Sequence, residues 1–215
     1  MIYDGRPPSV TVQALADLLN PRVQVSGGAP RWARALLSKA GMRPILTVPG
    51  YQGSGSDHWQ TIFEHKLPAT RRVEMPSWTQ PVRGEWVRAL EDAVSECAAP
   101  PVLVAHSLGC IAVAHWAATT RHPIHAALLV APCDLERSGL PEALRDFAPA
   151  PVEELAFPSL LVASTDDPYL DVARAQHLAD RWSSWLRVLG ARGHINAASG
   201  HGPWFEGEAL LAELL

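Results

Sequence analysis

Cysteine is scarce in this sequence of 215 residues, and it contains no basic cluster and no long apolar run. The three cysteines, Cys97, Cys110 and Cys133, are odd in number and form no Cys-x-x-Cys pair, which favours reduced thiols in a cytoplasmic protein over a disulfide framework. The net charge of −4 comes without a lysine and arginine stripe, so we expect no nucleic-acid partner. No apolar stretch reaches transmembrane length, and the first residues lack the pattern of a signal peptide, so we expect no membrane association.

The remaining composition is that of an ordinary globular domain. Hydrophobic residues make up 47% of the chain and charged residues 19%, and the length suits one domain with one large core. Residues 1–43 stand apart, with candidate helices at 10–19 and 32–37. Their apolar content predicts an N-terminal extension of unknown role that docks on the domain at 44–215 or on a second copy of the chain. A homodimer is therefore one open alternative.

Short apolar segments alternate with helix-like segments along the rest of the chain. Strands that are apolar throughout and separated by helices are typical of a parallel sheet covered on both faces. The segment between Pro132 and Pro158 is too short for a large helical cap domain. We therefore predict one α/β domain with a mostly parallel central sheet, helices on both faces and no large cap. The predicted strands are 44–48, 71–75, 102–104, 126–131, 158–163 and 186–189. The predicted helices are one that starts at Asp57, then 84–97, 111–118, 172–182 and 205–215.

One serine stands between a predicted buried strand and an Ala-rich predicted helix. Ser107 lies within the sequence Ala-His-Ser-Leu-Gly. A tight turn at such a place strains the backbone of its serine, so the residues two positions away must be small; here they are Ala105 and Gly109. The turn would raise the Ser107 hydroxyl above the sheet and leave the Leu108 N–H where an oxyanion would form.

Residues suited to the same chemistry follow three other predicted strands. Asp167 and His194 each come just past a strand, and a Gly50-Tyr51 loop follows the first strand. Because sites of open α/β sheets lie at the carboxyl ends of the strands, we expect these residues to meet Ser107. A histidine can take the serine proton, and a carboxylate can fix the histidine tautomer. The Tyr51 N–H would be the second oxyanion donor, beside that of Leu108.

Neighbouring acids and histidines compete for these roles. Asp167 is favoured over Asp166 because it directly precedes a proline, and Asp134, which also follows a strand, stays an alternative. His201 is too far past the last strand to be favoured as the base, and His106 is predicted to be buried and hydrogen-bonded. The other histidines show no metal-ligand spacing, so we expect neither a metal nor a cofactor. They are His58, His65, His115, His122, His125 and His177.

Substrate contacts are the least determined part of the predicted site. We expect Gly50, Trp59 and His201 to contribute to substrate binding. Trp78 and Trp204, like Trp59, follow loops near the site and are candidates to shape its pocket, although the hydrophobic core is favoured for any one of the three. The tryptophans predicted to be core residues from their helical spacing are Trp86, Trp116 and Trp182.

Four motifs in order carry a family resemblance over residues 44–215. They are Val48-Pro49-Gly50 with Asp57-His58-Trp59, then Ala105-His106-Ser107-Leu108-Gly109, then Ser164-Thr165-Asp166-Asp167-Pro168-Tyr169, and finally Gly193-His194-Ile195-Asn196 with Ser199-Gly200-His201-Gly202. With them the sequence resembles the retinoblastoma-binding-protein-9 (YdeN-like) serine hydrolases of the α/β-hydrolase superfamily. The resemblance implies a Ser107, Asp167 and His194 triad that acts on small esters or related acyl groups. It implies nothing for residues 1–43, and no L-x-C-x-E motif for the partner that names the family is present.

Two functions from different classes fit these observations. The first is a metal-independent, cytoplasmic serine hydrolase that forms an acyl-enzyme with a small-molecule acyl substrate; acyl transfer or perhydrolysis would use the same triad. The second is an interaction module on a hydrolase fold with vestigial activity, which would use the surface around Trp78 or the N-terminal residues. The presence of all three triad residues favours the first.

Overall fold

Six strands form a single all-parallel sheet in the computed structural model, which describes residues 43–215. In chain order they are β1 (Ile45–Val48), β2 (Thr70–Arg72), β3 (Val102–His106), β4 (Ala126–Val130), β5 (Ser159–Ala163) and β6 (Trp185–Val188). Their order across the sheet is β2-β1-β3-β4-β5-β6. The central position of β3, between β1 and β4, places the Ser107 turn in the middle of the sheet's carboxyl edge. The predicted extension lies outside the described residues, except for Arg43.

Within residues 43–215, five helices cover the two faces of this sheet. They are α1 (Trp59–Lys66), α2 (Arg83–Ser95), α3 (Leu108–Ala117), α4 (Val172–Trp182) and α5 (Phe205–Leu214), with 3-10 turns at Glu142–Phe147 and Ala197–Ser199. Buried residues of α1 and α5 pack in one cluster, and those of α2, α3 and α4 pack in another. Alternate residues of each central strand enter the two clusters, as they must when both faces of a sheet are buried. The prediction of a parallel sheet, helices on both faces and no large cap is confirmed.

Several boundaries differ from those predicted. Helix α1 is capped by His58, whose Nδ1 accepts the Gln60 N–H at 3.2 Å, and Asp57 does not cap it. The second strand runs from Thr70 to Arg72 and not to residue 75; among the described strands it is an edge strand beside β1. The predicted core tryptophans Trp86, Trp116 and Trp182 are fully buried. Cys97, Cys110 and Cys133 are free thiols.

No helix within residues 43–215 is long and apolar enough to cross a membrane.

Candidate active site

Ser107 occupies a strained turn between β3 and α3. Its φ of 54° and ψ of −124° lie in a region that residues with a Cβ rarely adopt, at a cost on the order of 1–3 kcal/mol. The surrounding packing holds the turn. The Ser107 N–H donates to the Val130 carbonyl at 3.0 Å, and a Cβ at Gly109 would lie only 2.2 Å from the Val48 carbonyl oxygen. The small residue expected at position 109 therefore has a steric reason.

A hydrogen-bonded chain of three side chains begins at this serine. His194 Nε2 lies 3.0 Å from Ser107 Oγ, and His194 Nδ1 lies 2.9 Å and 3.0 Å from the two Asp167 carboxylate oxygens. The Asp167 side chain is fully buried and that of His194 is 8% exposed. A carboxylate against Nδ1 fixes the tautomer in which Nε2 is free to accept the serine proton. The arrangement can therefore activate the Ser107 hydroxyl.

The competing carboxylates have other partners. Asp166 Oδ1 accepts the Ser164 hydroxyl at 2.7 Å and the Gly193 N–H at 2.6 Å, and these two hydrogen bonds hold the pKa of Asp166 below its ordinary value. Asp134 pairs with Arg174, at 3.3 Å. Asp167 is the acid that the structure brings to His194. Asp166 instead holds the backbone at Gly193, just before His194, a role that was not predicted from the sequence.

Two buried side chains hold the backbone of the His194 loop through hydrogen bonds to its carbonyl groups. The His106 ring donates through Nε2 to the His194 carbonyl at 2.9 Å, and the Trp59 indole N–H donates to the Ile195 carbonyl at 2.8 Å. Burial, followed by the charges of His194 and His58, lowers the pKa of His106 well below the ordinary imidazole value. His106 is therefore neutral and carries a single N–H. Its burial was predicted, but its contact with the His194 loop was not.

The expected substrate-binding residues occupy different kinds of position. The structure contradicts the role given to Trp59, which is fully buried and packs edge-on against Phe63 and Trp204. His201 contacts the Ser199 hydroxyl at 3.3 Å and lines neither of the two cavities that border Ser107 and His194. Gly50 does lie at the site, because a Cβ there would be 2.7 Å from the Ser107 Cβ. It therefore packs directly against the turn.

The two residues expected to supply oxyanion donors lie on neighbouring segments, the start of α3 and the loop after β1. Leu108 is the first residue of α3, so its N–H has no acceptor inside the helix and lies at the positive end of the helix dipole. Pairing of β1 with β3 brings the Gly50-Tyr51 loop beside it. A Cβ at Gly50 would be 3.2 Å from the Leu108 nitrogen. The positions suit an oxyanion site; the two donor roles remain predictions.

Two cavities, each of about 400 Å³, meet at Ser107 and His194. The first, which we call the polar cavity, lies over the loop before α1 and the 3-10 turn at Ala197–Ser199. Its walls include Gly53, Gly55, Ser56, Asp57, His58 and Ala198. The second, which we call the apolar cavity, lies over the loops after β4 and β5. Its walls include Cys133, Leu140, Pro141, Leu144 and Tyr169.

Burial keeps the Cys133 thiol in the apolar cavity protonated. Burial, the largest cause, raises the pKa of Cys133 to about 12, and the nearby Asp134 and Asp167 carboxylates act in the same direction. A thiol with such a pKa carries almost no thiolate near neutral pH. Within residues 43–215, no group of three or more His, Cys, Asp or Glu side chains is placed to hold a metal ion.

This chain is similar in sequence and in fold to known serine hydrolases. A family model described as serine hydrolase matches residues 45–213. A crystal structure of a YdeN-like hydrolase from Pectobacterium atrosepticum is 32% identical, covers 85% of this chain and 96% of its own, and superposes with a TM-score of 0.75. The ydeN gene product of B. subtilis is 21% identical over 80% of this chain and 98% of its own, with a TM-score of 0.71.

A more distant structure shares the fold alone. A monoacylglycerol lipase from Paleococcus ferrophilus is 13% identical over 80% of this chain and 94% of its own, with a TM-score of 0.61. No protein of curated function matches the chain. Since the family model spans almost all of the described residues, the chain belongs to the YdeN-like serine hydrolase family of the α/β-hydrolase superfamily.

Proposed function

We propose that the protein hydrolyses small carboxylic esters through an acyl-enzyme on Ser107, with His194 as general base and acid and Asp167 as the group that orients it. The observation that carries the proposal is the hydrogen-bonded chain from Asp167 through His194 to Ser107. A serine hydroxyl is a weak nucleophile until a base removes its proton, and this chain supplies the base in the required tautomer.

The first half of the proposed reaction forms the acyl-enzyme. His194 Nε2 takes the Ser107 proton while Oγ attacks the ester carbonyl carbon, and the negative charge that develops on the carbonyl oxygen is bound by the Leu108 and Tyr51 N–H groups. Each such donor contributes about 3 kcal/mol to the transition state in comparable sites. The imidazolium then gives its proton to the departing alkoxide, and the alcohol leaves.

The second half of the reaction repeats these steps with water. His194 removes a proton from a water molecule as it attacks the acyl carbon, and the carboxylic acid leaves as Ser107 recovers its proton. Residues of this chain supply every proton transfer and every oxyanion contact, so the proposed mechanism uses no cofactor. We also propose that the substrate is a small molecule and that the protein acts in the cytoplasm.

A fluorophosphonate probe tests the nucleophile directly, because it reacts with serines activated by a base. The wild-type protein should be labelled at Ser107 and should hydrolyse p-nitrophenyl acetate, whereas Ser107→Ala should lose both properties and keep its circular dichroism spectrum. Ser95→Ala removes an exposed hydroxyl at the end of α2 and should behave as the wild type. Undiminished labelling of Ser107→Ala would refute the nucleophile. Labelling without turnover of any ester would refute ester hydrolysis.

A further inference from the structure

We propose that the apolar cavity binds the acyl group of the substrate, an uncharged aliphatic chain of about four to eight carbons, and that the polar cavity receives the leaving alcohol and then the hydrolytic water. This inference rests on the proposed function. Its starting point is that Ser107, His194 and Tyr51 border both cavities, so an acyl carbon on Ser107 has one cavity on each side.

The chemistry of deacylation assigns the two cavities. Hydrolysis of the acyl-enzyme is the reverse of its formation with water in place of the alcohol, so the water must attack from the place that the alcohol has left. That place must stay hydrated while the acyl group remains bound. The polar cavity, with Ser56, Asp57 and the glycines of the loop after β1 in its walls, suits water. The other cavity is then left for the acyl group.

The walls of the apolar cavity suit an aliphatic chain. Leu144 and Cys133 are only 6% and 7% exposed, and the high pKa of Cys133 keeps its thiol uncharged. The charged groups at this cavity already have partners. Asp134 pairs with Arg174 at 3.3 Å, and the Arg137 guanidinium lies over the Tyr169 ring, 5.3 Å from its centroid. A charged acyl group would have to displace one of these contacts.

The cavity volume accommodates a chain of this length. A methylene group occupies about as much space as a water molecule, ~30 Å³, so eight carbons need roughly 240 Å³. This fits within a cavity of about 400 Å³ that also opens to solvent. Leu140 is the wall residue best suited to control this length, because it is half-buried and packs at the edge of the core, where a larger or smaller side chain can be accommodated.

The experiment compares p-nitrophenyl esters with two to ten acyl carbons, with rates expressed per fluorophosphonate-titrated site. In the wild type, kcat/KM should rise about threefold to fourfold with each added methylene, as expected for burial of CH₂ groups, and then level off between six and eight carbons. Leu140→Trp should lower the ratio of kcat/KM for the hexanoate to that for the acetate at least tenfold. Leu140→Ala should shift the optimum to longer chains, a gain that a misfolded variant cannot produce.

Ala198→Trp provides the matched change in the polar cavity, where Ala198 is an exposed wall residue. It should keep the hexanoate-to-acetate ratio within about threefold of the wild-type ratio and should discriminate against bulky alcohols in a series of methyl, butyl and benzyl hexanoates. The opposite pattern, in which Ala198→Trp changes chain-length preference and Leu140→Trp changes alcohol preference, would reverse the assignment. A flat chain-length profile in a wild type that hydrolyses the acetate would refute this inference alone. Failure to hydrolyse any of the esters would refute the proposed function itself.

Discussion

His58 should make the protein less stable in mild acid. The residue is 5% exposed, its Nδ1 accepts the Gln60 N–H at the start of α1, and its ring lies 5.0 Å from that of His106. Burial is the largest cause that lowers the pKa of His58 from 6.5 to about 4, and the positive charges of Arg72, His194 and His201 add to it. Protonation of Nδ1 would also remove the acceptor that caps the helix.

The sign and size of the effect follow from proton linkage. The unfolded chain takes up a proton on His58 near pH 6.5, but the folded protein does so only near pH 4. Between these two pH values the unfolded state binds more protons, so stability is complete above pH 6.5 and falls as the pH falls. The loss in the free energy of unfolding amounts to about 3 kcal/mol between pH 6.5 and pH 4, and about 2 kcal/mol of it has occurred by pH 5. The lowered pKa of His106 acts in the same direction.

The substitution His58→Asn isolates this contribution, because asparagine is a good helix N-cap that does not titrate. Urea unfolding at pH 7 and pH 5 gives the free energy of unfolding at each pH. The loss between the two pH values should be about 2 kcal/mol smaller in His58→Asn than in the wild type. His177→Asn, on the exposed side of α4, serves as the control and should show the wild-type loss. An equal loss in His58→Asn and the wild type would refute the reasoning.

Two further predictions concern the triad. Asp167→Asn should lower kcat for an ester by about 10⁴, because the amide stabilises the wrong histidine tautomer. Asp166→Asn keeps an acceptor for the Gly193 N–H, and in this variant and in Asp134→Asn kcat should fall less than about tenfold. A larger fall in kcat in either variant would identify a different acid. His194→Ala should abolish nearly all ester turnover in steady-state kinetics. His201→Ala should change kcat/KM less than about tenfold, because His201 contacts Ser199 and Trp204 and lines neither cavity. The reverse order of losses would show that His201 is the base.

The parts of the site that local sequence determines could be predicted. A buried strand, a serine between small residues and an Ala-rich segment leave the chain few ways to turn. Ser107 has the positive φ that this turn requires. The order of apolar strands and helices likewise predicted the parallel sheet. Asp167 was favoured over Asp166 from the adjacent proline alone, and the structure places its carboxylate on His194.

Contacts between distant segments could not be predicted. The indole of Trp59 donates to a carbonyl 136 residues away, and the ring of His106 to one 88 residues away. Which way a side chain points from a helix or loop depends on packing that no local pattern encodes. Trp59 was therefore a candidate for substrate binding, although it lies fully buried and donates to the backbone of the His194 loop. The two cavities were missed for the same reason, since their walls come from five separate loops.

The neutral state of the buried histidines has a consequence for the chemistry as well as for stability. In the proposed mechanism His194 becomes a cation when Ser107 attacks, and the centroid of its ring lies 4.8 Å from that of His106. A second positive charge at this distance would raise the energy of the imidazolium by about 3 kcal/mol at an effective dielectric constant of ~20, which corresponds to a rate loss of about 100-fold. Burial keeps the pKa of His106 low enough to avoid this repulsion, while its one N–H still holds the His194 carbonyl. A histidine at position 106 can therefore hold the His194 loop without opposing the positive charge that the proposed mechanism places on His194.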